Sequence, residues 1–432
     1  MAKKILVTYD TGLPAYNEYI KRKTGDILTD DELKRRRNEQ DIFDDHLFAA
    51  LSDVGVDVAI FPHDYDGNAG SSLSSLEAAC ESAEVIVHST PKVGAFQCQD
   101  DAWRTDYQHR VEDLIYSRFL HKTEFNSHTK EVTDKRSSHR IAQAIGIPVP
   151  KTWSMEKYLS DVRLLPVLFK TPNGSRAEGN LFLDREEQLR LFFDEEANAR
   201  CGRSPPSMDS YDAQEYINTP SNHFTHYRIF TLGDGTIVGA VLGVSGNRKD
   251  QLVRRAYPSK YSYEDTLTEE FQRMKASIPK NELFLKIWGA PMYDHVLSPL
   301  YLGLLDVFSN HSNGGTQIAL TPTDQSRAIA PYEKEILVEH RLNPDMPQLP
   351  AKLEAMARRV ARAFAPHGLL YIGQDWLQDR NGNFYFLEVN SGPGLNIFNT
   401  LYNFGRGDET TAMCIGTRKL AEALREYTPP SI

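Results

Sequence analysis

The chain has 432 residues, 40% of them hydrophobic, and a formal charge of -10 from 49 Lys and Arg against 59 Asp and Glu. That length has room for roughly two to four packed units, and the acidic balance argues against wholesale binding to nucleic acid or an anionic membrane. Cys80, Cys98, Cys201 and Cys414 are scattered with no C-x-x-C pair, and the apolar run 5–7 is too short for a signal or membrane segment, so a reducing, cytoplasmic location is expected.

Residues 1 to about 120 read as a small α/β unit, with strands over 5–8, 56–61 and 85–88 and a helix over 45–52. No glycine-rich dinucleotide loop follows the first strand, which argues against a Rossmann site. The charged stretch 18–41, with Lys34-Arg35-Arg36-Arg37, reads as a solvated helix or loop. Asp134 then precedes a helix over 135–144, which Gly146 closes before Pro148 and Pro150. Two hairpins follow: strand 167–170 is joined to 180–183 by the loop 171–179, and strand 227–232 turns at Gly233-Asp234-Gly235 into 236–244. The Tyr-rich stretch 248–300 has no clear period and reads as an insertion. Its Arg248, Lys249, Arg254, Arg255 and Lys260 suit either a solvated flap or a surface for a substrate carboxylate. Leu353, Met356, Ala357, Val360, Ala361 and Phe364 have the one-sided spacing of an amphipathic helix. A hairpin over 369–377 and 384–390 and a helix over 411–427 complete the chain.

The last hairpin carries the sharpest chemical signal. Asn381-Gly382, taken as a two-residue type I′ turn, sets Arg380 opposite Asn383 and, counting outward, Asp375 opposite Glu388. Their Cβ atoms would then lie about 4.5 to 5.5 Å apart, with Asn390 on the same face. Two facing carboxylates among Phe384, Phe386, Leu387 and Val389 repel, and a hard cation such as Mg²⁺ resolves the conflict. An exposed acidic hairpin end is the alternative. Lys170 ends an apolar strand, where a lysine needs an anionic partner such as a phosphate, unless it snorkels to solvent. Gly174 and Gly179 let the following loop bend its amides toward that anion.

The order of these elements resembles the ATP-grasp superfamily. Asp134-Lys135, Gly146-Ile147-Pro148-Val149-Pro150, Lys170 with its loop, Gln214-Glu215-Tyr216-Ile217, Arg228, Ser309-Asn310, Gly314-Gly315, Gly373-Gln374-Asp375 and Glu388-Val389-Asn390-Ser391-Gly392-Pro393-Gly394 follow its succession over about 126–395. The pattern is most similar to the branch of ribosomal-protein glutamate ligases and bacterial glutathione synthetases. It implies a pre-ATP-grasp α/β domain over 1–125, a central α+β subdomain over 126–220 and a C-terminal subdomain over 221–432 containing the insertion. The resemblance further implies ATP as cofactor, its phosphates on Lys135 and Lys170 under the loop of Gly174, Ser175 and Gly179, and its base at Glu215, Tyr216 and Ile217. Arg228 and Asn310 would face the reacting group, and Asp375, Glu388 and Asn390 would hold Mg²⁺ or Mn²⁺. The implied reaction joins a small-molecule carboxylate to an amine, on an amino acid or small peptide, through an acyl phosphate. A kinase with the same clamp, a thiol or hydroxyl acceptor, and a regulatory nucleotide-binding module stay open, as does a homodimer. The stretch Asn222-His223-Phe224-Thr225-His226 lacks the acid that relatives use for the ribose.

Overall fold

The computed structural model describes residues 3–10, 50–63, 73–89, 135–170, 181–183, 211–248, 316–320, 329–367, 371–390 and 415–428, with shorter pieces at 110, 113–115, 117–122, 186, 189 and 369. Three sheets organise them. The first is parallel, with β1 (Lys4–Asp10) between β2 (Asp57–His63) and β3 (Val85–Ser89). Parallel strands are covered on both faces. Here α1 (Leu73–Ser82) packs Leu76 and Cys80 on Leu6 and Ile86, while Ile5, Val85 and Val87 join a second cluster on the other side. Burial pushes the Cys80 thiol up to about 12, which leaves it an unreactive core residue.

Helix α2 (Lys135–Ala144) ends at Gly146, whose φ of +70° is the left-handed conformation of a helix stop. A four-stranded antiparallel sheet follows, ordered β4-β7-β5-β6, from β4 (Thr152–Ser154), β5 (Val167–Lys170), β6 (Leu181–Leu183) and β7 (Asp212–Glu215). Val167, Phe169 and Ala213 turn one face of it to a core with Met155 and Tyr158. Alternation therefore turns Lys170, Asp212 and Gln214 to the other face.

The third sheet is antiparallel, ordered β10-β9-β8-β11-β12, from β8 (His223–Leu232), β9 (Ile237–Arg248), β10 (Thr316–Ala319), β11 (Tyr371–Gln378) and β12 (Phe384–Asn390). Tyr227, Ile229, Leu242, Trp376 and Phe386 on one face pack against α4 (Ala351–Phe364), with α3 (Pro331–Glu339) adding Ile336 and Leu337. Leu353, Met356, Ala357, Val360, Ala361 and Phe364 of α4 are all buried, as their spacing predicts, the larger ones contributing about 1.5–3 kcal/mol each. On the opposite face α5 (Ile415–Glu426) covers Phe230 and Leu232, in one cluster with Ile5 and Val85 of the first sheet. Lys3 ties these parts together. Its ammonium donates to the Leu424 carbonyl at 2.8 Å and to the Tyr427 carbonyl, a cation placed at the negative end of α5.

The β11–β12 turn differs from the two-residue form expected. Positive φ falls on Gly382 (+85°) and not on Asn381, and the Gly382 N–H donates to the Asp379 carbonyl at 3.0 Å. This is a three-residue loop closed by a left-handed glycine, repeated at Gly235 (φ +92°) in the β8–β9 hairpin. Asp379 selects it: its carboxylate accepts from the Asn381 and Asn383 N–H groups at 2.9 and 2.8 Å. The longer loop shifts the register by one, pairing Trp376 with Phe386, and a bulge at Leu387 shifts it back. Asp375 still pairs with Glu388 because the two displacements cancel.

Candidate active site

Three neighbouring strands set Arg228, Asp375 and Glu388 in one row, since Asp375 pairs with Arg228 across β8–β11 and with Glu388 across β11–β12. Asn390 lies two positions beyond Glu388 on the same face, opposite Gly373, and donates from Nδ2 to Asp375 Oδ2 at 3.2 Å. Arg228 grips Asp375 through Nε and Nη2, both at 2.7 Å. Burial pushes the Asp375 carboxyl up, but the Arg228 guanidinium and the Asn390 amide outweigh it and hold the group below the usual carboxylate range. Its four lone-pair sites are not exhausted: Arg228 takes one on each oxygen and Asn390 one on Oδ2. Glu388 makes no hydrogen bond or ion pair among the described residues, so both its oxygens are available. Two acids and an amide with this spare capacity suit a hard cation that takes few protein ligands. Arg228 keeps Nη1 outside its grip on Asp375. Beside it, burial pulls His226 down to about 4 despite Asp375, so its ring is neutral.

The four-stranded sheet faces this row with a cation. Lys170 is 9% exposed and makes no hydrogen bond or ion pair among the described residues. Burial and then Lys135 lower its ammonium to about 8, against the pull of Glu388 and Asp375. With Lys135 and Gln214 it lines a cleft of about 260 Å³ under α2.

The residues expected at the base, Glu215, Tyr216 and Ile217, fall out differently from one another. Ile217 is buried, and Tyr216 stacks edge-on against Phe224 with centroids 6.3 Å apart. Glu215 pairs with Val167, on the strand face opposite to Lys170, and its carboxylate accepts from the Lys151 N–H at 3.2 Å. Gln214, on the face of Lys170, is 2% exposed, and its Oε1 has no partner. A buried acceptor left open toward a cleft is a candidate ligand contact. Sequence reasoning passed over Gln214; the alternation Asp212-Ala213-Gln214 around a buried Ala213 would have found it. It also missed the ion pair between Arg136 of α2 and Asp212. Gly174, Ser175, Gly179, Asn310 and the insertion lie outside the described residues. No described helix is long and apolar enough to cross a membrane.

Two antiparallel sheets, one presenting a buried lysine and the other a row of arginine and acids, thus supply the charged groups of the site. The ATP-grasp ligase PsnB complexed with a minimal precursor is 11% identical, covers 98% of each chain and superposes with a TM-score of 0.50, so the two chains share a fold. PsnB with minimal precursor, Mg and ADP is 11% identical over 98% of each chain, with a TM-score of 0.49. Macrocyclase MdnC with precursor peptide MdnA, from Microcystis aeruginosa MRC, is 10% identical over 98% of this chain and 99% of that one, with a TM-score of 0.44. No protein-family model and no curated protein matches the sequence.

Proposed function

We propose that the chain is an ATP- and Mg²⁺-dependent ligase that joins a carboxylate to an amine and releases ADP and phosphate. The observation that carries this reading is Lys170: a buried ammonium with no ion-pair partner among the described residues, near two acids it does not touch. Such a charge persists where a ligand anion completes it. Lys170 and Lys135 bind the phosphates as point charges. Gln214 and the segment Glu215, Tyr216 and Ile217 receive the base. Arg228 orients Asp375 and offers Nη1 to the oxygen on which charge develops. Asp375, Glu388 and Asn390 would hold Mg²⁺, which would neutralise the phosphate oxygens. The substrate carboxylate attacks the γ-phosphorus and ADP leaves; the amine then attacks the acyl carbon of the acyl phosphate, loses a proton and expels phosphate. The described residues contribute positioning and charge. We place Asn310 near the reacting group and the loop of Gly174, Ser175 and Gly179 over the phosphates. The domain boundaries at 125 and 220 belong to the same proposal, as does an amino acid or small peptide as substrate. The solved ligase that superposes with a TM-score of 0.50 holds a minimal precursor.

The test is an incubation of purified protein with Mg·ATP and pooled carboxylic acids, amino acids and peptides, following ADP release and product mass. ADP release that requires both an acid and an amine, with hydroxylamine trapping the activated acid, is expected. A stable phosphorylated product without condensation would make the protein a kinase instead.

A further inference from the structure

Helix α2 touches both antiparallel sheets. Arg136 grips Asp212 on β7, with Nε at 2.7 Å from Oδ2. One turn further on, His139 Nε2 lies 2.7 Å from the carbonyl of Leu387 on β12. Leu387 is the bulge residue, skipped where the pairing of Asp375 with Glu388 gives way to that of Trp376 with Phe386. A bulged residue is left out of the ladder, so its backbone needs another partner. His139, 6% exposed, provides it with its ring edge-on to Phe386 at 6.4 Å. The residue before the bulge is held too, because the Phe386 N–H donates to the Pro148 carbonyl just beyond α2 at 2.9 Å.

The bulge decides which way Glu388 points. Phe384, Phe386 and Val389 are buried while Glu388 and Asn390 are not, a break in alternation between Phe386 and Val389. In a regular strand Glu388 would share the face of Phe386 and enter the core.

We propose that His139 is a positioning residue: its Nε2–H, donated to the Leu387 carbonyl, clamps the bulge that presents Glu388 beside Asp375. The proposal rests on the reading of Asp375, Glu388 and Asn390 as a divalent-cation site. A carbonyl only accepts, so Nε2 carries a proton.

The experiment is Mn²⁺ binding to the full chain in the presence of ADP, read by electron paramagnetic resonance. His139→Phe is expected to keep its thermal midpoint within a few degrees yet bind Mn²⁺ about 10 to 100-fold more weakly, the size of effect typical of groups that orient metal ligands. His139→Gln, whose side-chain N–H reaches the same carbonyl, recovers most of the affinity. In a Glu388→Gln background the phenylalanine substitution adds nothing, because the clamp acts through Glu388. Full affinity in His139→Phe, or a glutamine variant as weak as the phenylalanine one, overturns the proposal. A wild-type chain that binds no Mn²⁺ overturns the cation site and the clamp with it, and needs no substitution to be seen. If His139→Phe does not fold, the histidine nitrogen NMR spectrum of the wild type decides. A slowly exchanging Nε2 proton on His139 upholds the clamp, and a freely exchanging ring refutes it.

Discussion

Strand β8 carries two polar networks back to back. On its core face, Thr225 and Tyr227 meet His340 and Gln378. His340 Nδ1 lies 2.8 Å from Gln378 Oε1, which only accepts, so Nδ1 holds the proton and Nε2 receives the Thr225 hydroxyl at 2.9 Å. Every buried side-chain polar atom of this network has a partner. On the cleft face, Arg228, Asp375 and Asn390 form a charged network that stops short: Glu388 and Lys170, close by, complete no pair among the described residues. Burial penalises both networks equally in kind, yet only the first satisfies itself. Polarity that stabilises the sheet is complete within the protein, whereas polarity that serves a ligand is left incomplete by the protein alone.

The contrast is broken most severely at Glu388. Glu388→Gln removes no protein contact among the described residues, so the thermal midpoint stays put while ADP release falls about 10²–10³-fold, the scale of losing one electrostatic stabiliser. A variant with wild-type turnover would remove Glu388 from the chemistry. Lys170 comes next. Its ammonium sits at about 8 in the free protein, so below that pH it is charged and ready for phosphate, and above it binding must take up a proton. Nucleotide affinity should therefore fall as pH rises through about 8, with proton uptake visible by calorimetry in buffers of different ionisation enthalpy. Lys170→Met is expected to flatten that profile and weaken binding about 10 to 100-fold, the equivalent of a charge-assisted hydrogen bond. An unchanged slope would assign the titration elsewhere.

Substitutions on the closed side should act on stability alone. Thr225→Val leaves His340 Nε2 buried without its donor, at about 1–3 kcal/mol in denaturant unfolding, with turnover unaltered. The smallest effect is expected at the β11–β12 turn. Gly382→Ala places a methyl at φ +85° but only 3.4 Å from the flexible tip of Arg341, so the penalty is about 1–2 kcal/mol from the backbone. Activity should survive, because alanine can keep the three-residue turn and with it the register that the Leu387 bulge converts into the pairing of Asp375 with Glu388.

Much of the fold was legible along the chain. The six buried positions of α4, the extent of α2 from Lys135 to Ala144, and the antiparallel pairing of β8 with β9 follow from periodicity and turn glycines, which act over a few residues. Strands β4, β7 and β10 were not legible: they are as short as β5 and β6 but lack the glycine-containing hairpin loop that marks that pair. Helix α3 shows no strong apolar face: Val338 is exposed while Glu333 is buried and accepts from the Ala330 N–H. Asp375 opposite Glu388 was anticipated from a turn that the chain does not adopt, and the pairing survived through the Leu387 bulge.

By itself the sequence determined which residue types stand at the site and which short elements carry them, because propensity, capping and alternation are local. Only the tertiary structure decided their company. It placed Arg228 in register with Asp375, turned Gln214 and not Glu215 to the face of Lys170, and brought His139 to a carbonyl 248 positions away. Those partners are chosen by packing between sheets, where the unpaired backbone of one element is met by whatever donor another brings within reach.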